Sequence, residues 1–306
     1  MVRERASDRR PVRLHGVAPG WHSGSVPEAA ISVRDLRKSY GSVEAVRGIS
    51  FDVARGEIFG LLGPNGAGKT TTVEILEGYR KRSGGDVSVL GSDPAARDRG
   101  LRKRVGIVLQ SSGFYPRATV RESVEHMAAV YPAPRDPSET IALVGLEEKR
   151  DTRAGKLSGG QRRRLDLALA LVGDPELIFL DEPTTGFDPG ARRNAWETIR
   201  NLRALGKTIL LTTHYLDEAE QLADRVAVLR DGVIVREGRP SELTGGAVET
   251  EIRYRRNGEI VVERTNEPTR RLHALTAEAV ARGEELDALE VRRPTLEDIY
   301  LELTAE

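Results

Sequence analysis

The sequence of 306 residues contains no cysteine, few aromatic residues and no long hydrophobic run. Without cysteine the chain has no disulfide and no thiolate metal site, which suits a reducing compartment. No apolar stretch approaches the roughly 18 residues that would span a membrane. Residues 167–172 and 209–211 are among the longer stretches, and both are typical of a buried core.

The chain also lacks net charge, because 47 basic residues balance 47 acidic residues. A balanced chain gives no electrostatic indication of nucleic-acid binding, so we expect no nucleic-acid partner. Charged residues make up 31% and the hydrophobic set 39% of the sequence. This composition is typical of a globular protein with one large domain, or with a large and a small one.

The first thirty residues lack both an apolar core and a regular periodicity. They hold five arginines against Glu4, Asp8 and Glu28, and they do not match a secretory signal. We therefore predict that residues 1–30 form a disordered basic tail. A basic arm that touches lipid headgroups is the alternative.

What the sequence does contain is a glycine-rich loop between a predicted strand and a predicted helix. Residues 58–62 predict a buried parallel strand, and the apolar positions from Val73 to Tyr79 recur at helical spacing. Two glycines separated by four residues, then lysine and a hydroxyl residue, form a nucleotide-binding pattern. The loop reads Gly63-Pro64-Asn65-Gly66-Ala67-Gly68-Lys69-Thr70, and Thr71 follows it.

This loop is suited to phosphate for physical reasons. Glycines let the backbone N–H groups turn inward, and the helix N-terminus adds partial positive charge. Lys69 can reach the β- and γ-phosphates, and Thr70 can offer its hydroxyl to Mg²⁺.

Upstream of the loop, strands are predicted on either side of two glycines, Gly41 and Gly48. Tyr40 lies between two of these strand candidates. Its ring is suited to stack on an adenine, although an aromatic residue in a turn is otherwise more often a packing residue.

Two acidic residues end another predicted strand. The apolar residues 177–180 are followed directly by Asp181 and Glu182. Asp181 is suited to orient Mg²⁺ through its water shell, and Glu182 to polarise the attacking water as a general base. Two adjacent acids at a strand end are otherwise often a solvated turn.

Gln110 and His214 also follow predicted strands, at residues 105–109 and 209–213. Open α/β sheets bind ligands at the carboxyl ends of their strands, so both side chains are suited to that edge. The carbonyl of Gln110 could complete the Mg²⁺ shell and sense the γ-phosphate, which His214 could also contact. A surface glutamine and a structural histidine are the alternatives.

Residues 111–156 interrupt the strand pattern and predict a helical insertion. It leads into Ser158, which can cap the next helix while Gln161 reaches back, in the form of a capping box. Gly159 and Gly160 leave N–H groups free there, which indicates a second anion site. An ordinary capped helix is the alternative.

The last part of the chain predicts a smaller unit. A hairpin is predicted around the turn at Asp231 and Gly232, and Gly245-Gly246 is a plausible linker. Beyond it, strands and helices alternate, with a helix from Thr269 to Arg282 and a final helix at residues 296–303. Residues 245–306 therefore predict a small α/β domain.

In this order, the motifs resemble the full set of an ABC ATPase over roughly residues 31–240. The set comprises Tyr40, the loop at 63–70, Gln110, Leu157 to Gln161, residues 177–182, Thr185 to Asp188, and His214. Leu157 to Gln161 is its most diagnostic part, because other P-loop enzymes lack it. Phe187 departs from the leucine of many ABC ATPases but leaves Asp188 in place.

Three further stretches resemble the ATPases of bacterial multidrug exporters, including the daunorubicin-resistance type. They are residues 162–171, 180–189 and 211–220. The segment from Arg293 to Leu301 resembles the C-terminal segment of the same group.

The resemblance implies an α/β fold: a P-loop NTPase domain of the ABC type over residues 31–244, with a helical subdomain at about 111–160. It implies hydrolysis of ATP with Mg²⁺ that energises efflux of a drug, antibiotic or lipid-like compound. The implied catalytic residues are Glu182, His214, Lys69 and Gln110. The implied metal ligands are Thr70, Gln110 and Asp181. The implied nucleotide contacts are Tyr40, Gly63 to Thr71, Ser158 to Gln161 and Asp188.

The resemblance also implies two partners. ATP on one chain would be closed over by Ser158, Gly159 and Gly160 of a second copy in a head-to-tail dimer. A separate permease would contact the chain beside Gln110, with Ser111 to Arg117 as candidate lining. The chain would then lie peripherally on the cytoplasmic face of a bacterial cell membrane.

Two other functions are the alternatives. A soluble ABC ATPase acting on ribosomes or DNA usually has two cassettes, long coiled coils or zinc cysteines, which this sequence lacks. A P-loop kinase would not account for Leu157 to Gln161.

Overall fold

The structure is a computed structural model that describes residues 29–108, 115–245, 249–256 and 259–292. Most of the predicted tail and the predicted helix at 296–303 lie outside these ranges. The elements in chain order are β1 (Ala29–Tyr40), β2 (Val43–Ala54), β3 (Ile58–Leu62), α1 (Lys69–Leu76), β4 (Gly84–Val89), α2 (Arg99–Lys103), β5 (Val105–Val108), α3 (Val120–Ala128), α4 (Pro137–Leu143), α5 (Gly159–Leu171), β6 (Leu177–Asp181), α6 (Pro189–Ala204), β7 (Thr208–Thr213), α7 (Leu216–Leu222), β8 (Arg225–Arg230), β9 (Val233–Gly238), α8 (Pro240–Gly245), β10 (Thr250–Arg256), β11 (Glu259–Thr265), α9 (Pro268–Arg282) and β12 (Asp287–Arg292).

A six-stranded sheet in the order β5-β6-β7-β3-β8-β9 forms the centre of the fold. All its strand pairs are parallel except β8 with β9. Every residue of β3 is buried, and this strand lies between β7 and β8. The predicted buried parallel strand is therefore confirmed, and it carries the loop from Gly63 to Thr70, here called the phosphate loop, at its carboxyl end.

The central sheet separates two hydrophobic cores because successive side chains of a strand point to opposite faces. In β6, Ile178 and Leu180 belong to the core beneath the helices α3 to α6. Leu177 and Phe179 belong to the other core, which includes α1 and the antiparallel strands β1, β2 and β4.

The antiparallel sheet has the order β2-β1-β4. Contrary to the prediction, Gly48 does not break its strand, because β2 runs without interruption from Val43 to Ala54. Gly48 has a φ of +85°, and a Cβ there would lie 2.5 Å from an Asp35 carboxylate oxygen. The glycine lets the strand pass close to an irregularity in β1, where the register shifts between Val33 and Leu36.

Helix α1 ends at Leu76, before the predicted limit at Tyr79. Gly78 stops it: this residue has a φ of +74°, and its N–H donates to the Ile75 carbonyl at 3.0 Å. A left-handed glycine just after the last turn is a common helix terminator.

The helical insertion packs on the same core as α5. Thr119 and Glu122 form a capping box at the start of α3. Helix α4 begins at Pro137, where the Asp136 carboxylate accepts two backbone N–H groups.

The hairpin β8–β9 turns through Asp231 and Gly232, which both have positive φ, as a two-residue hairpin turn requires. After α8, strands β11-β10-β12 form a third sheet with α9. Ile252, Tyr254 and Leu275 give this part a small core of its own. None of the helices in the described ranges is long and apolar enough to cross a membrane.

Candidate nucleotide site

The loop from Gly63 to Thr70 is shaped by two enclosed glycines. A Cβ on Gly63 would lie 2.3 Å from the Leu229 carbonyl oxygen, and one on Gly68 would lie 2.5 Å from that of Ala45. Gly68 also has a φ of +103°. The backbone can curl this tightly only because these positions carry no side chain.

Lys69 lies inside this loop with only 5% of its surface exposed. Its ammonium donates to the carbonyl oxygens of Gly63 at 2.7 Å and Pro64 at 3.1 Å. Burial lowers the pKa of Lys69, and the carboxylates of Glu182 and Asp181 oppose that shift. A phosphate oxygen would give this ammonium a closer anionic partner than Glu182, which lies 4.0 Å away.

Glu182 lies between Lys69 and His214. His214 Nδ1 is 3.3 Å from Glu182 Oε1, although no hydrogen bond of good geometry reaches this buried nitrogen within the described ranges. The Thr185 hydroxyl donates to Glu182 Oε2 at 3.2 Å. The structure therefore brings three predicted site residues together at one edge of the sheet: Lys69 at the start of α1, Glu182 directly after β6 and His214 directly after β7.

Thr212, which the sequence reasoning missed, fixes both acidic residues. The Thr212 hydroxyl donates to Asp181 Oδ1 at 2.5 Å. The Glu182 N–H donates to the carbonyl and hydroxyl oxygens of Thr212, both at 3.1 Å. Thr212 is fully buried on the strand next to β6. The pair of threonines ahead of His214 is the sequence feature that could have indicated this role.

Tyr40 ends β1, and its side chain is 40% exposed. Lys38 Nζ and Arg80 Cζ lie 4.9 Å and 5.3 Å from the ring centroid. The ring is accessible beside two cations, so stacking on an adenine stays a prediction that the geometry permits.

The predicted capping box at α5 is confirmed. The Ser158 N–H donates to Gln161 Oε1 at 2.9 Å, and the Gln161 N–H donates to Ser158 Oγ at 3.3 Å. Ser158 and Gly159 are exposed, and a Cβ on Gly159 would have no atom within 4 Å. Within the described part of the chain, no hydrogen bond joins this end of α5 to the phosphate loop.

Asp188 caps α6 by accepting from the N–H groups of Gly190 and Ala191, both at 2.9 Å. The Ala191 N–H is the main reason why the pKa of Asp188 is lowered. This cap explains the residue locally, so its nucleotide contact stays a prediction. Gln110 lies outside the described residues, and its predicted contacts stay predictions too.

The residues fit a magnesium ion that is carried with phosphates. Within the described ranges, no cluster of three or more carboxylate or imidazole side chains could hold a metal alone. Magnesium in nucleotide sites needs only one or two protein ligands besides phosphate oxygens and water. Thr70 is exposed at the start of α1 and Asp181 is buried nearby, which together meet that need.

Comparison with known proteins decides the family. A family model described as ABC transporter matches residues 46–185. Nod factor export ATP-binding protein I of Paraburkholderia xenovorans (strain LB400) is 46% identical over 229 residues, which cover 73% of this chain and 75% of the relative. The chain belongs to the ABC transporter ATP-binding family. The Nod factor export ATP-binding protein I of Rhizobium sp. (strain N33) is 42% identical over 296 residues, or 90% of this chain and 97% of that relative.

Solved ABC cassettes confirm the predicted α/β fold. An ATP-binding cassette of an ABC transporter in its ADP conformation is 26% identical with a TM-score of 0.62, covering 70% of this chain and 92% of that one. A bacterial ABC transporter cassette described as dimeric is 25% identical with a TM-score of 0.62, and the match covers 68% of this chain and 98% of that one. This chain is thus an ABC ATPase that binds and hydrolyses ATP. The daunorubicin-type grouping stays a prediction.

Glu77, just after α1, gives this ABC ATPase a testable pH dependence. Burial raises the pKa of Glu77 to about 8, and the charges of Asp181 and Glu74 add to the shift. Its buried Oε1 has no hydrogen-bond partner within the described ranges. The unfolded chain ionises Glu77 near its ordinary value of 4.5, so the folded protein holds an extra proton between these two values. Stability therefore falls as pH rises through that window.

We expect the melting temperature of the wild type, without nucleotide, to fall more steeply between pH 5 and pH 9 than that of Glu77→Gln. Differential scanning fluorimetry measures both curves. Glu197→Gln, which changes an exposed carboxylate on α6, is the matched control and should follow the wild type. Parallel curves for the wild type and Glu77→Gln would contradict the raised pKa.

Proposed function

We propose that this chain is the ATP-hydrolysing subunit of an exporter and works as a dimer with a separate membrane permease. The observation that carries this proposal is the 42% identity to a Nod factor export ATP-binding protein along 90% of the chain. That similarity extends beyond the ATPase cassette into the C-terminal part.

In the proposed ATP site, Tyr40 stacks on the adenine and the N–H groups from Gly63 to Thr71 hold the phosphates. Lys69 turns from the two loop carbonyls toward the β- and γ-phosphates. Mg²⁺ neutralises phosphate charge when bound, with Thr70, Asp181 and Gln110 as the residues that hold it.

Hydrolysis in this proposal depends on Glu182, which accepts the proton of the attacking water. Thr185 and Thr212 orient this residue through its carboxylate and its N–H. We propose that the His214 imidazole forms a hydrogen bond to the γ-phosphate. Its buried Nδ1 lacks a well-aligned partner within the described ranges, so this side chain has hydrogen-bonding capacity that the fold does not use.

The proposed dimer is head-to-tail. Ser158 and Gly159 are exposed, a Cβ on Gly159 would meet open space, and Gly160 and Gln161 follow at the start of the same helix. A second chain's ATP would meet the free N–H groups there. Loss of the γ-phosphate would remove several charge-assisted contacts at once, which favours reopening.

We place the permease contact at a cavity of about 440 Å³ on the border of the helical insertion. It is lined by Leu101 and Ile107 on one side and by Met127, Tyr131 and Leu169 on the other. It lies beside β5, beyond which come Gln110 and the predicted lining Ser111 to Arg117. Of that lining, the described residues 115–117 do not reach this cavity.

The finer parts of this proposal concern domains, cargo and location. We divide the chain into a tail at 1–30, the ATPase domain at 31–244 with its helical subdomain, and a small domain at 245–306; the separate core around Tyr254 supports this last unit. The cargo we propose is a drug, an antibiotic or a lipid-like compound. The chain would lie on the cytoplasmic face of the membrane.

Transport by inside-out membrane vesicles tests the proposal. The chain is co-expressed with the membrane protein of the neighbouring reading frame, and inside-out vesicles are assayed with daunorubicin and with a fluorescent phospholipid. We expect ATP-dependent uptake or flipping of one of these probes, and none in vesicles that carry Glu182→Gln. Co-sedimentation with ribosomes, without transport of either probe, would favour the soluble ABC ATPase instead.

A further inference from the structure

Arg163, on the second turn of α5, binds the backbone at the end of β6. Its guanidinium donates to the carbonyl oxygens of Asp181 at 2.7 Å, Pro183 at 3.3 Å and Glu182 at 3.4 Å. Three successive carbonyls of the segment that carries Glu182 therefore meet one side chain from another element.

The chemistry of this contact requires arginine. A guanidinium carries five donors in a rigid fork, so it can span several carbonyl oxygens that point to one side. A lysine ammonium is a compact point charge, and a glutamine amide has only two donors. The side chain is also half-buried: burial lowers the pKa of Arg163, against the opposing effect of Asp166, Asp181 and Glu218.

The contact holds a residue with an unusual backbone. Glu182 has a φ of +47°, which a residue with a long side chain seldom adopts. Such a conformation persists only where its surroundings fix it. Thr212 fixes the N–H side of Glu182, and Arg163 fixes the carbonyl side.

Arg163 is also tied to the other functional end of its helix. Ser158 caps α5, and Arg163 follows about one and a half turns later. Both residues belong to one continuous helical stretch, and Leu165, Ala168 and Leu171 farther along it are buried in the core, so we expect this helix to move as a unit. A displacement of Ser158 therefore displaces the guanidinium that holds Glu182.

We propose that Arg163 is a positioning residue that holds Glu182 in its working conformation and couples it to the nucleotide that Ser158 contacts in the opposite site. The coupling rests on the head-to-tail dimer of the proposed function. In each chain, α5 would link nucleotide binding at one ATP site of the dimer to the position of Glu182 in the other ATP site. ATP hydrolysis by the two sites of the dimer would then be cooperative.

Arg163→Gln tests the proposal by steady-state kinetics. We expect kcat to fall about ten- to a hundredfold, as for a misplaced catalytic group, with the KM for ATP changed by no more than about twofold. The Hill coefficient for ATP should be above one in the wild type and should approach one in the variant. Arg163→Lys should recover part of the rate, because it keeps the charge but reaches fewer carbonyls.

Arg164→Gln is the matched control. Arg164 is the next residue on the same helix, and its guanidinium donates to the Gly145 carbonyl at 2.9 Å, in the helical insertion. This variant should keep kcat and the Hill coefficient. Melting temperatures of all variants establish that each is folded, and Arg163→Lys carries the test if the glutamine variant does not fold.

A dimerisation assay separates positioning from a merely structural role. Glu182→Gln with ATP should elute as a dimer in size-exclusion chromatography, and the double variant with Arg163→Gln should elute in the same way. Loss of the dimer in the double variant alone would overturn the positioning role, as would a wild-type kcat in Arg163→Gln.

The other outcomes bear on the coupling. A reduced kcat with an unchanged Hill coefficient would overturn the coupling to the opposite site. A Glu182→Gln protein that stays monomeric with ATP would overturn the head-to-tail dimer and the coupling together. The kcat of Arg163→Gln would still decide whether Arg163 positions Glu182.

Discussion

Glu182→Gln is expected to hydrolyse ATP about 10²–10⁴-fold more slowly than the wild type, while it still binds ATP. Glutamine keeps the size of the side chain and an oxygen that can accept the Thr185 hydroxyl, but it cannot take a proton from water. The negative charge between Lys69 and His214 is also removed, which should favour the γ-phosphate. The Glu182→Gln variant therefore separates ATP binding, which it keeps, from ATP hydrolysis, which it loses.

Phosphate release and binding of a fluorescent ATP analogue measure the two effects. The matched control is Glu197→Gln, which makes the same change on the exposed face of α6 and should leave both unchanged. A turnover near that of the wild type in Glu182→Gln would show that another group is the general base.

Lys69→Ala should weaken ATP binding about ten- to a hundredfold, the range for one lost charge-assisted hydrogen bond of about 1.5–3 kcal/mol. The effect is large because this ammonium is almost fully buried and already held within the loop. Removing it also takes a cation away from Glu182 and Asp181, which adds unfavourable charge near the phosphates.

Isothermal titration calorimetry with ATP and Mg²⁺ measures this loss. Lys81→Ala, an exposed lysine downstream of the same helix, should bind ATP like the wild type. An unchanged affinity in Lys69→Ala would disprove the role of the lysine in holding phosphate, whatever its turnover.

The parts of the fold that were predictable from sequence depend on local patterns. The strand, loop and helix around Gly63 to Thr70 follow from an apolar run, a glycine spacing and a helical period. The capping box of Ser158 and Gln161 and the hairpin at Asp231 likewise need only a few neighbouring residues. All of these features are confirmed.

The missed features depend on contacts between distant segments. Thr212 and Arg163 act on the backbone of β6 through strand adjacency and helix packing, which no local pattern encodes. At Gly48 a local pattern was misleading. This glycine indicates a strand break, but it lies inside a long strand because a neighbouring strand approaches it closely. Tertiary packing decides such cases over propensity.

The position of β3 in the central sheet has a consequence for the order in which the protein is made. Its only strand neighbours in the described sheet are β7 and β8, which pair with Ile58 to Leu62 through residues 209–213 and 225–228. During synthesis the phosphate loop therefore leaves the ribosome long before either strand that will support it. Long-range pairing of this kind folds slowly and exposes apolar strands meanwhile. The nascent chain thus carries its ATP loop without a formed ATP site until its last parallel strand has been translated.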